Sequence, residues 1–170
     1  MSDFNFDEAR GAFSRADVIV PGEDSNYARA MKATAERLME LGFYRQGYIA
    51  QDAAADRAHV EYPWFGVYPA SLPEEERTNI SNWKTYSALV TMATKDDNPF
   101  RGVMRILNIR EAAEDACRSK RQIPMRDGDF HENTTVDTTP YVLAQSEDGG
   151  FVFSTGFRVN YMVTEPRRAE

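Results

Sequence analysis

The sequence has few of the residues on which most redox, metal and hydrolytic sites depend. Its 170 residues include one cysteine, Cys117, and two histidines. A single cysteine excludes an internal disulfide and a multi-cysteine metal site. Neither a glycine-rich phosphate loop nor a Gly-x-Ser-x-Gly motif is present, since Gly149 and Gly150 open a strand pattern and not a helix. These absences argue against the commonest nucleotide-dependent and hydrolytic enzymes.

Long apolar runs and an excess of positive charge are also missing. No segment approaches the roughly 20 consecutive apolar residues of a membrane-spanning helix, and the acidic start MSDFNFDEAR lacks an apolar signal region. The chain has 27 Asp and Glu against 20 Lys and Arg, a net charge of −7. We therefore expect no membrane partner and no binding of nucleic acid through a basic face, which needs excess Lys and Arg.

Two segments have the spacing of amphipathic helices. Residues 25–41 carry apolar side chains every three or four positions, with Asp24 or Ser25 as the capping residue. A second helix is predicted over residues 99–119, with Asp97 or Asn98 as its cap. Cys117 lies on the expected buried face of this helix, so we predict that it is a core residue. The members of that face are Val103, Ile106, Ile109, Ala113, Ala116 and Cys117.

The closing segment EDGGFVFSTGFRVNYMV has the period of two that is typical of a strand with unlike faces. Residues 141–145 are predicted to pair with it through a turn at 146–150, as a hairpin. The opposite face, which holds Ser154, Arg158 and Asn160, and a free edge of the strand are expected to remain available for partners. The face expected to pack beneath the helices holds Phe151, Phe153, Thr155, Phe157, Val159, Tyr161 and Val163.

Further strands are predicted at residues 43–51, 58–71 and 82–97. Pro63 lies within the second of them, which suits an edge or a bulge. Runs of strands between separated helices indicate an α+β two-layer sandwich, with both helices on one face of a mainly antiparallel sheet. We predict an N-terminal arm over 1–22, a single α+β domain over 23–165 and a C-terminal tail over 166–170.

Two polar segments between these elements are less regular. Residues 71–78, SLPEEERT, are predicted to form one turn of helix within a protruding loop, because Ser71 precedes Glu74 at the spacing of a capping box. Residues 122–140 are predicted to form a loop with one short strand near Val136.

The most metal-like pattern is RDGDFHE, which brings Asp127, Asp129, His131 and Glu132 close together. Its spacing fits neither a calcium loop nor a zinc-binding His-Glu-x-x-His helix. A solvated loop is therefore the favoured interpretation, and we predict no metal site, no cofactor and no catalytic residue.

A second hypothesis is a small α+β enzyme or ligand-binding domain. Its pocket would be lined by Trp64, Tyr68, Tyr86 and the loop at residues 127–132. This hypothesis predicts a concave cavity in which polar groups converge.

The order of elements resembles that of tail terminator, or tail-completion, proteins of tailed bacteriophages. The resemblance covers roughly residues 23–165. It is carried by RLMELGF at the end of the first helix, by the strand TYSALVTMATKDD, by the helix PFRGVMRILNIREAAEDA and by the closing GGFVFSTGFRVNYMVTE.

This resemblance implies a structural protein of the virion and not an enzyme. Such proteins form a hexameric ring at the head-proximal end of the tail tube, in the neck region, after assembly in the host cytoplasm. The implied partners are further copies of the chain, the tail tube protein, a head–tail connector or neck protein and, where one exists, the tail sheath. Genomic DNA would pass through the lumen without sequence-specific binding. Another neck or head–tail connector protein is the nearest alternative.

The expected interface residues come from three segments. The arm has aromatic side chains that must be buried either on their own domain or on a neighbouring subunit. The loop at residues 71–78 and the outward face of the closing strand are further candidates to reach a partner. The residues concerned are Phe4, Phe6, Glu74, Glu75, Arg77, Ser154, Arg158 and Asn160.

Overall fold

A computed structural model describes residues 24–49, 60–70, 74–77, 81–119, 121–137, 141–147 and 149–166. The predicted arm, with Phe4 and Phe6, and residues 167–170 lie outside this part of the chain. The described helices are α1 (Asn26–Met39) and α2 (Pro99–Cys117). The described strands are β1 (Gln46–Ile49), β2 (Trp64–Pro69), β3 (Glu74–Arg77), β4 (Ser81–Asp96), β5 (Phe130–Asp137), β6 (Leu143–Glu147) and β7 (Gly150–Pro166).

The strands form one sheet in the order β1-β2-β4-β7-β5, with β3 also paired to β4 and β6 also paired to β7. Only the β1–β2 pair is parallel among the described strands, and the other pairs are antiparallel. Both helices contribute to one hydrophobic core with the same face of the sheet. The predicted α+β architecture is therefore confirmed. We call the opposite side of the sheet, turned away from both helices, the open face.

The two helices begin at the predicted caps. The side chain of Ser25 accepts a hydrogen bond from the backbone N–H of Ala28, and that of Asn98 accepts one from Arg101. Such caps satisfy backbone donors that have no partner inside the helix. Cys117 is completely buried in the core on α2, as predicted. Burial raises the pKa of its thiol to about 12.

β4 and β7 form the centre of the sheet and the floor of the core. All sixteen residues of β4 pair in register with β7. Burial of one large apolar side chain contributes about 1.5–3 kcal/mol to stability. The predicted inward face of the closing strand is confirmed, because five of its residues are at most 3% exposed: Phe153, Phe157, Val159, Tyr161 and Val163.

β3 overturns the predicted turn of helix, because residues 74–77 form a strand. Glu74 pairs with Thr85 of β4, and Arg77 pairs with Asn82. β2 pairs only with residues 88–93 of β4, which leaves the first part of that long strand without a neighbour on this side. The backbone groups of residues 82–85 of β4 are available for pairing, and β3 pairs with them. This pairing outweighs the local capping pattern, since such a pattern is a weak preference that tertiary contacts override.

β5 is longer than the predicted short strand near Val136, and it changes the interpretation of the closing strand. Seven of its eight residues pair with residues 158–164 of β7, with Glu132 left out at an irregularity, and β6 pairs with residues 150–154 on the same side. β7 is therefore an interior strand, bordered by β4 on its other side, and the expected free edge of the closing strand is wrong. Within the described sheet, the outer edge on this side belongs to β5 and β6.

Gly102 lies where α2 packs closely on the ring of Phe153 in the sheet. A Cβ at this position would overlap the ring of Phe153, which is itself only 1% exposed. Gly102→Ala should therefore lower the free energy of unfolding by about 1–3 kcal/mol, the cost of overpacking a core. Urea denaturation of both proteins measures this change.

The sign of the change in unfolding free energy distinguishes core packing from helix propensity. Alanine favours a helix over glycine by about 1 kcal/mol, so helix propensity alone predicts a more stable protein. Asn108→Ala, at an exposed position of the same helix, is the control and should leave the protein equally or slightly more stable. A Gly102→Ala variant that is more stable than the unmodified chain would contradict the packing.

Candidate interface surfaces

Three predicted interface residues lie together on the open face. Ser154, Arg158 and Asn160 alternate along β7 with side chains that are buried in the core. Arg158 is exposed, and the other two are half-buried. The structure therefore places all three on the expected side of the strand, and their role in an interface stays a prediction.

Asn160 connects three neighbouring strands. Its Oδ1 accepts a hydrogen bond from Ser87 Oγ of β4 at 2.7 Å, and its Nδ2 donates to Asp137 Oδ2 of β5 at 2.8 Å. Both ends of its amide make hydrogen bonds within the subunit, so Asn160 stabilises the open face by linking β4, β7 and β5. Arg158 is the better candidate of the three to contact a partner.

The predicted residues of β3 lie further along the sheet than this group. Glu74 pairs in register with Thr85, and Asn160 pairs with Ser87, two positions further along β4. Ser154 pairs with Ala93, eight positions from Thr85, which is about 26 Å at the rise of a strand. Glu75 is exposed, and Glu74 and Arg77 are the end residues of the same short strand. The predicted interface residues therefore extend along the sheet from β3 past Asn160 to Ser154.

The open face carries an apolar patch that the sequence analysis missed. Its members are Leu89, Tyr141 and Leu143, which are 38%, 44% and 58% exposed. Leu89 of β4 pairs with Arg158, and Leu143 of β6 pairs with Ser154. The two leucines therefore lie on either side of β7, on the open face. We call these three residues the open-face patch.

Tyr141 occupies the middle of this patch because β7 has a glycine beneath it. A Cβ at Gly156 would lie 2.9 Å from the Tyr141 hydroxyl oxygen. A groove of about 290 Å³ runs beside the tyrosine, and Asp137 and Arg158 also line it. The open-face patch therefore combines apolar side chains with one carboxylate and one guanidinium group.

A second apolar surface lies on the outer side of α2. Its members are Phe43, Phe100, Met104 and Leu107, which are 37%, 77%, 46% and 38% exposed. The three on the helix have the spacing i, i+4, i+7, which was visible in the sequence but is weaker than the buried stripe on the opposite side. A groove of about 390 Å³ separates Phe43 from the helix, and Phe43 and Met104 line it, whereas Phe100 and Leu107 lie on the same helix outside its lining. We call this groove, together with the four exposed apolar residues, the α2 groove.

Two arginines border the α2 groove. Arg101 and Arg105 line the cavity, and their side chains are 60% and 51% exposed. Arg101 donates to Asp96 from both Nε and Nη2, at distances from 2.7 to 3.0 Å. These hydrogen bonds hold the pKa of the Asp96 carboxyl well below its usual range. The ion pairs fix the start of α2 against the end of β4 and leave guanidinium groups at the rim of the groove.

The hypothetical ligand pocket is divided between the two faces of the sheet. Tyr86 and Asp129 line a polar cavity of about 340 Å³ on the helix side. Trp64 and Tyr68 pair in register with Ala93 and Leu89, residues of the open face. The sheet thus separates the aromatic side chains that this hypothesis brought together.

The polar cavity contains a network centred on Glu165. Its carboxylate accepts hydrogen bonds from Tyr86 Oη at 2.6 Å and from Asn26 Nδ2 at 3.1 Å, and it pairs with Lys84 Nζ at 2.7 Å. Burial raises the pKa of Glu165, but the hydrogen bonds from Lys84, Tyr86 and Asn26 outweigh it and the net shift is downward. Asn26 also donates to Asp129 Oδ2 at 2.7 Å. These contacts tie the start of α1 to the end of β7.

The residues of the metal-like pattern do not converge. Asp129 faces Asn26, whereas the ring of His131 is buried near Tyr161. Among the residues that the structure describes, no group of three His, Cys, Asp or Glu side chains is arranged to hold a metal ion. The pattern instead contributes to two separate hydrogen-bonding networks.

His131 is buried, and both of its ring nitrogens make hydrogen bonds. Its Nδ1 accepts a hydrogen bond from the backbone N–H of Ile123 at 3.4 Å, and its Nε2 lies 2.9 Å from Thr134 Oγ1. Burial lowers the pKa of His131, and the nearby positive charge of Arg37 lowers it further, against a smaller opposing effect of Glu132. Protonation would remove the acceptor at Nδ1 and place a second positive charge near Arg37.

We expect this histidine to make stability dependent on pH. The unfolded chain takes up the proton near pH 6.5, the ordinary pKa of histidine, and the folded chain only at lower pH. The free energy of unfolding should therefore fall as the pH drops below about 6.5, down to the folded pKa. His131→Gln should flatten this part of the profile in urea denaturation, and His59→Gln is the control for the other histidine. Parallel profiles for the unmodified chain and His131→Gln would contradict the assignment.

No protein-family model matches the chain, and a search of curated protein sequences gives no significant match. Neither of the helices in the described residues is both long and apolar enough to cross a membrane.

Proposed function

We propose that this chain is a structural virion protein, a phage tail terminator that forms a ring at the head-proximal end of the tail tube. In this role it ends polymerisation of the tube and joins the tail to the head connector. The observation that carries the proposal is the presence of exposed apolar side chains on both outer surfaces of one subunit, the α2 groove and the open-face patch. Such surfaces are typical of proteins that assemble.

The architecture supports the same proposal. The confirmed fold has the element order that resembles the tail terminator family, with a helix after the central strands and a final hairpin. The long central strands give a rigid subunit, because β4 and β7 pair along their whole length. A rigid subunit with two outer contact surfaces suits a ring that must keep a fixed diameter around a tube.

Polymerisation of the tail tube protein of the same phage tests this function. Added during polymerisation, the chain should shorten the tubes in a dose-dependent manner, and antibody labelling should place it at one end in electron micrographs. The same chain unfolded by heat beforehand is the control. An unchanged length distribution with no chain on the tubes would contradict the proposal. Binding to the head connector alone would identify another neck protein.

A further inference from the structure

The α2 groove and the open-face patch lie on opposite layers of the subunit. The groove is formed by the outer side of α2 and by Phe43, while the patch lies beyond the sheet on which α2 packs. The sheet, with the core on its other side, separates the two surfaces. They cannot cover one another within a single subunit, and a second copy of the chain can cover both of them.

The two surfaces are complementary in chemistry. The α2 groove offers a concave apolar site with the guanidinium groups of Arg101 and Arg105 at its rim. The open-face patch offers large apolar side chains, of which Leu143 is 58% exposed, with the carboxylate of Asp137 and the guanidinium group of Arg158 beside them. The carboxylate of Asp97, which is 77% exposed, lies beside Arg101 at the groove, so each surface carries charges of both signs and Arg158 has a carboxylate to face. Arginine and carboxylate groups at the rim of an apolar contact favour correct pairing. A second copy of this chain therefore has the features that each surface requires.

We propose that the α2 groove of one copy receives the open-face patch of the next copy, and this inference rests on the proposed ring. The contact joins two different surfaces, so it is heterologous and leaves one free groove and one free patch after every addition. Repetition closes a ring when the rotation between neighbours permits it. A contact between two grooves or between two patches would instead stop at a dimer.

Cysteine cross-linking of the full-length chain tests the contact. Met104→Cys places a thiol in the groove, and Leu143→Cys places one in the patch. The natural Cys117 is buried and does not interfere. With a short bis-maleimide, the Met104→Cys/Leu143→Cys double variant should give a ladder of dimers, trimers and larger species on a denaturing gel. An equimolar mixture of the two single variants should give dimers only, and each single variant alone should remain monomeric.

A matched control uses another exposed position of the same helix. Asp115 has a side chain that is 71% exposed and follows Met104 by eleven positions, about 16 Å along the helix axis. The Asp115→Cys/Leu143→Cys variant should give at least fivefold less cross-linked product than the variant with Met104→Cys. Equal yields from the two variants would show random collision and would overturn the proposed contact.

The remaining outcomes separate this inference from the proposed function. Dimers from Met104→Cys alone, or from Leu143→Cys alone, would show a contact between like surfaces and would overturn the inference. The absence of product from the double variant, whether sedimentation shows rings or monomers, would also overturn it. The proposed function is judged independently by the length of the tail tubes, and it survives if the chain ends the tubes through other subunit contacts.

Discussion

Phe157→Asp is expected to unfold the chain, whereas Arg158→Glu, at the next position, is expected to leave it folded and to disturb its assembly. The two side chains lie on opposite faces of β7. Phe157 is 3% exposed in the core, opposite Val90 of β4. Arg158 is exposed on the open face and borders the open-face patch.

The expected loss is comparable to the whole stability of an ordinary domain. Removal of a buried phenylalanine costs about 3–5 kcal/mol, and burial of an unpaired carboxylate adds several more. Domains of this size are stable by only about 5–15 kcal/mol. Arg110 lies above the ring of Phe157, with its Cζ 6.0 Å from the ring centroid, and is the nearby cation that could pair with the new carboxylate. Its Nε and Nη1 already donate to Glu114, Thr155 and Gly156, so only the buried Nη2, which has no partner among the described residues, remains for that compensation.

Circular dichroism and sedimentation distinguish the two variants. Phe157→Asp should lose the ellipticity of the native chain at room temperature. Arg158→Glu should keep the native spectrum and should shift the sedimentation profile toward monomer. Equal unfolding of both variants would show that the faces of β7 are wrongly assigned. A native Phe157→Asp variant would contradict the core itself.

The elements that could be predicted from the sequence are the long and regular ones. α1, α2 and the long strands β4 and β7 were predicted because each repeats its hydrophobic period over many residues. The caps at Ser25 and Asn98 added a local chemical signal at the start of each helix. Both signals reside within one segment, so they do not depend on which other elements pack nearby.

The errors lie where a neighbouring strand decides the structure. Residues 74–77 carry a local pattern of helix initiation, yet they pair with the part of β4 that β2 does not reach. β5 is polar, because only some of its side chains face the core, and His131 is its most buried residue. Without the partner strand in view, such a sequence is indistinguishable from a loop.

The candidate interface was predicted only in part for a similar reason. The outward face of β7 follows from alternation, so the placement of Ser154, Arg158 and Asn160 on that face was predicted, and their role in an interface stays a prediction. The α2 groove depends on exposed apolar side chains that share a helix with a stronger buried stripe. Periodicity alone does not show which of two stripes faces solvent. Tyr141 lies outside any regular element, and its place over Gly156 depends on the tertiary fold.

Arg110→Met is expected to be the most destabilising substitution of a charged residue on α2. Arg110 is 5% exposed, although an arginine on a helix is ordinarily expected to face solvent. Its Nη1 donates to Thr155 Oγ1 at 2.7 Å and to the carbonyl oxygen of Gly156 at 2.5 Å, and its Nε donates to Glu114 at 2.8 Å. These contacts join the helix to the middle of β7.

The position of these contacts explains why they matter. β6 pairs with β7 up to Ser154, and β5 pairs with it from Arg158 onward, so neither strand pairs with residues 155–157. Thr155 Oγ1 in turn donates to the carbonyl oxygen of Tyr141 at 2.5 Å. Arg110 and Thr155 therefore bridge the gap between the two strands on this side of β7. Loss of the guanidinium group would leave buried oxygens without donors, a cost of about 3–5 kcal/mol when one partner of a buried ionic network is removed.

Urea denaturation of three variants separates this bridge from ordinary loss of charge. Arg110→Lys keeps the charge but lacks the planar fork of donors, so its stability should lie between those of the unmodified chain and Arg110→Met. Arg118→Met, at a half-exposed arginine that pairs with Glu114 and Asp115, should cost less than about 1 kcal/mol. Hydrogen exchange should be accelerated in β6 by Arg110→Met and unchanged by Arg118→Met. Equal losses of stability in Arg110→Met and Arg118→Met would contradict a stabilising role of the Arg110–Thr155 bridge between β5 and β6.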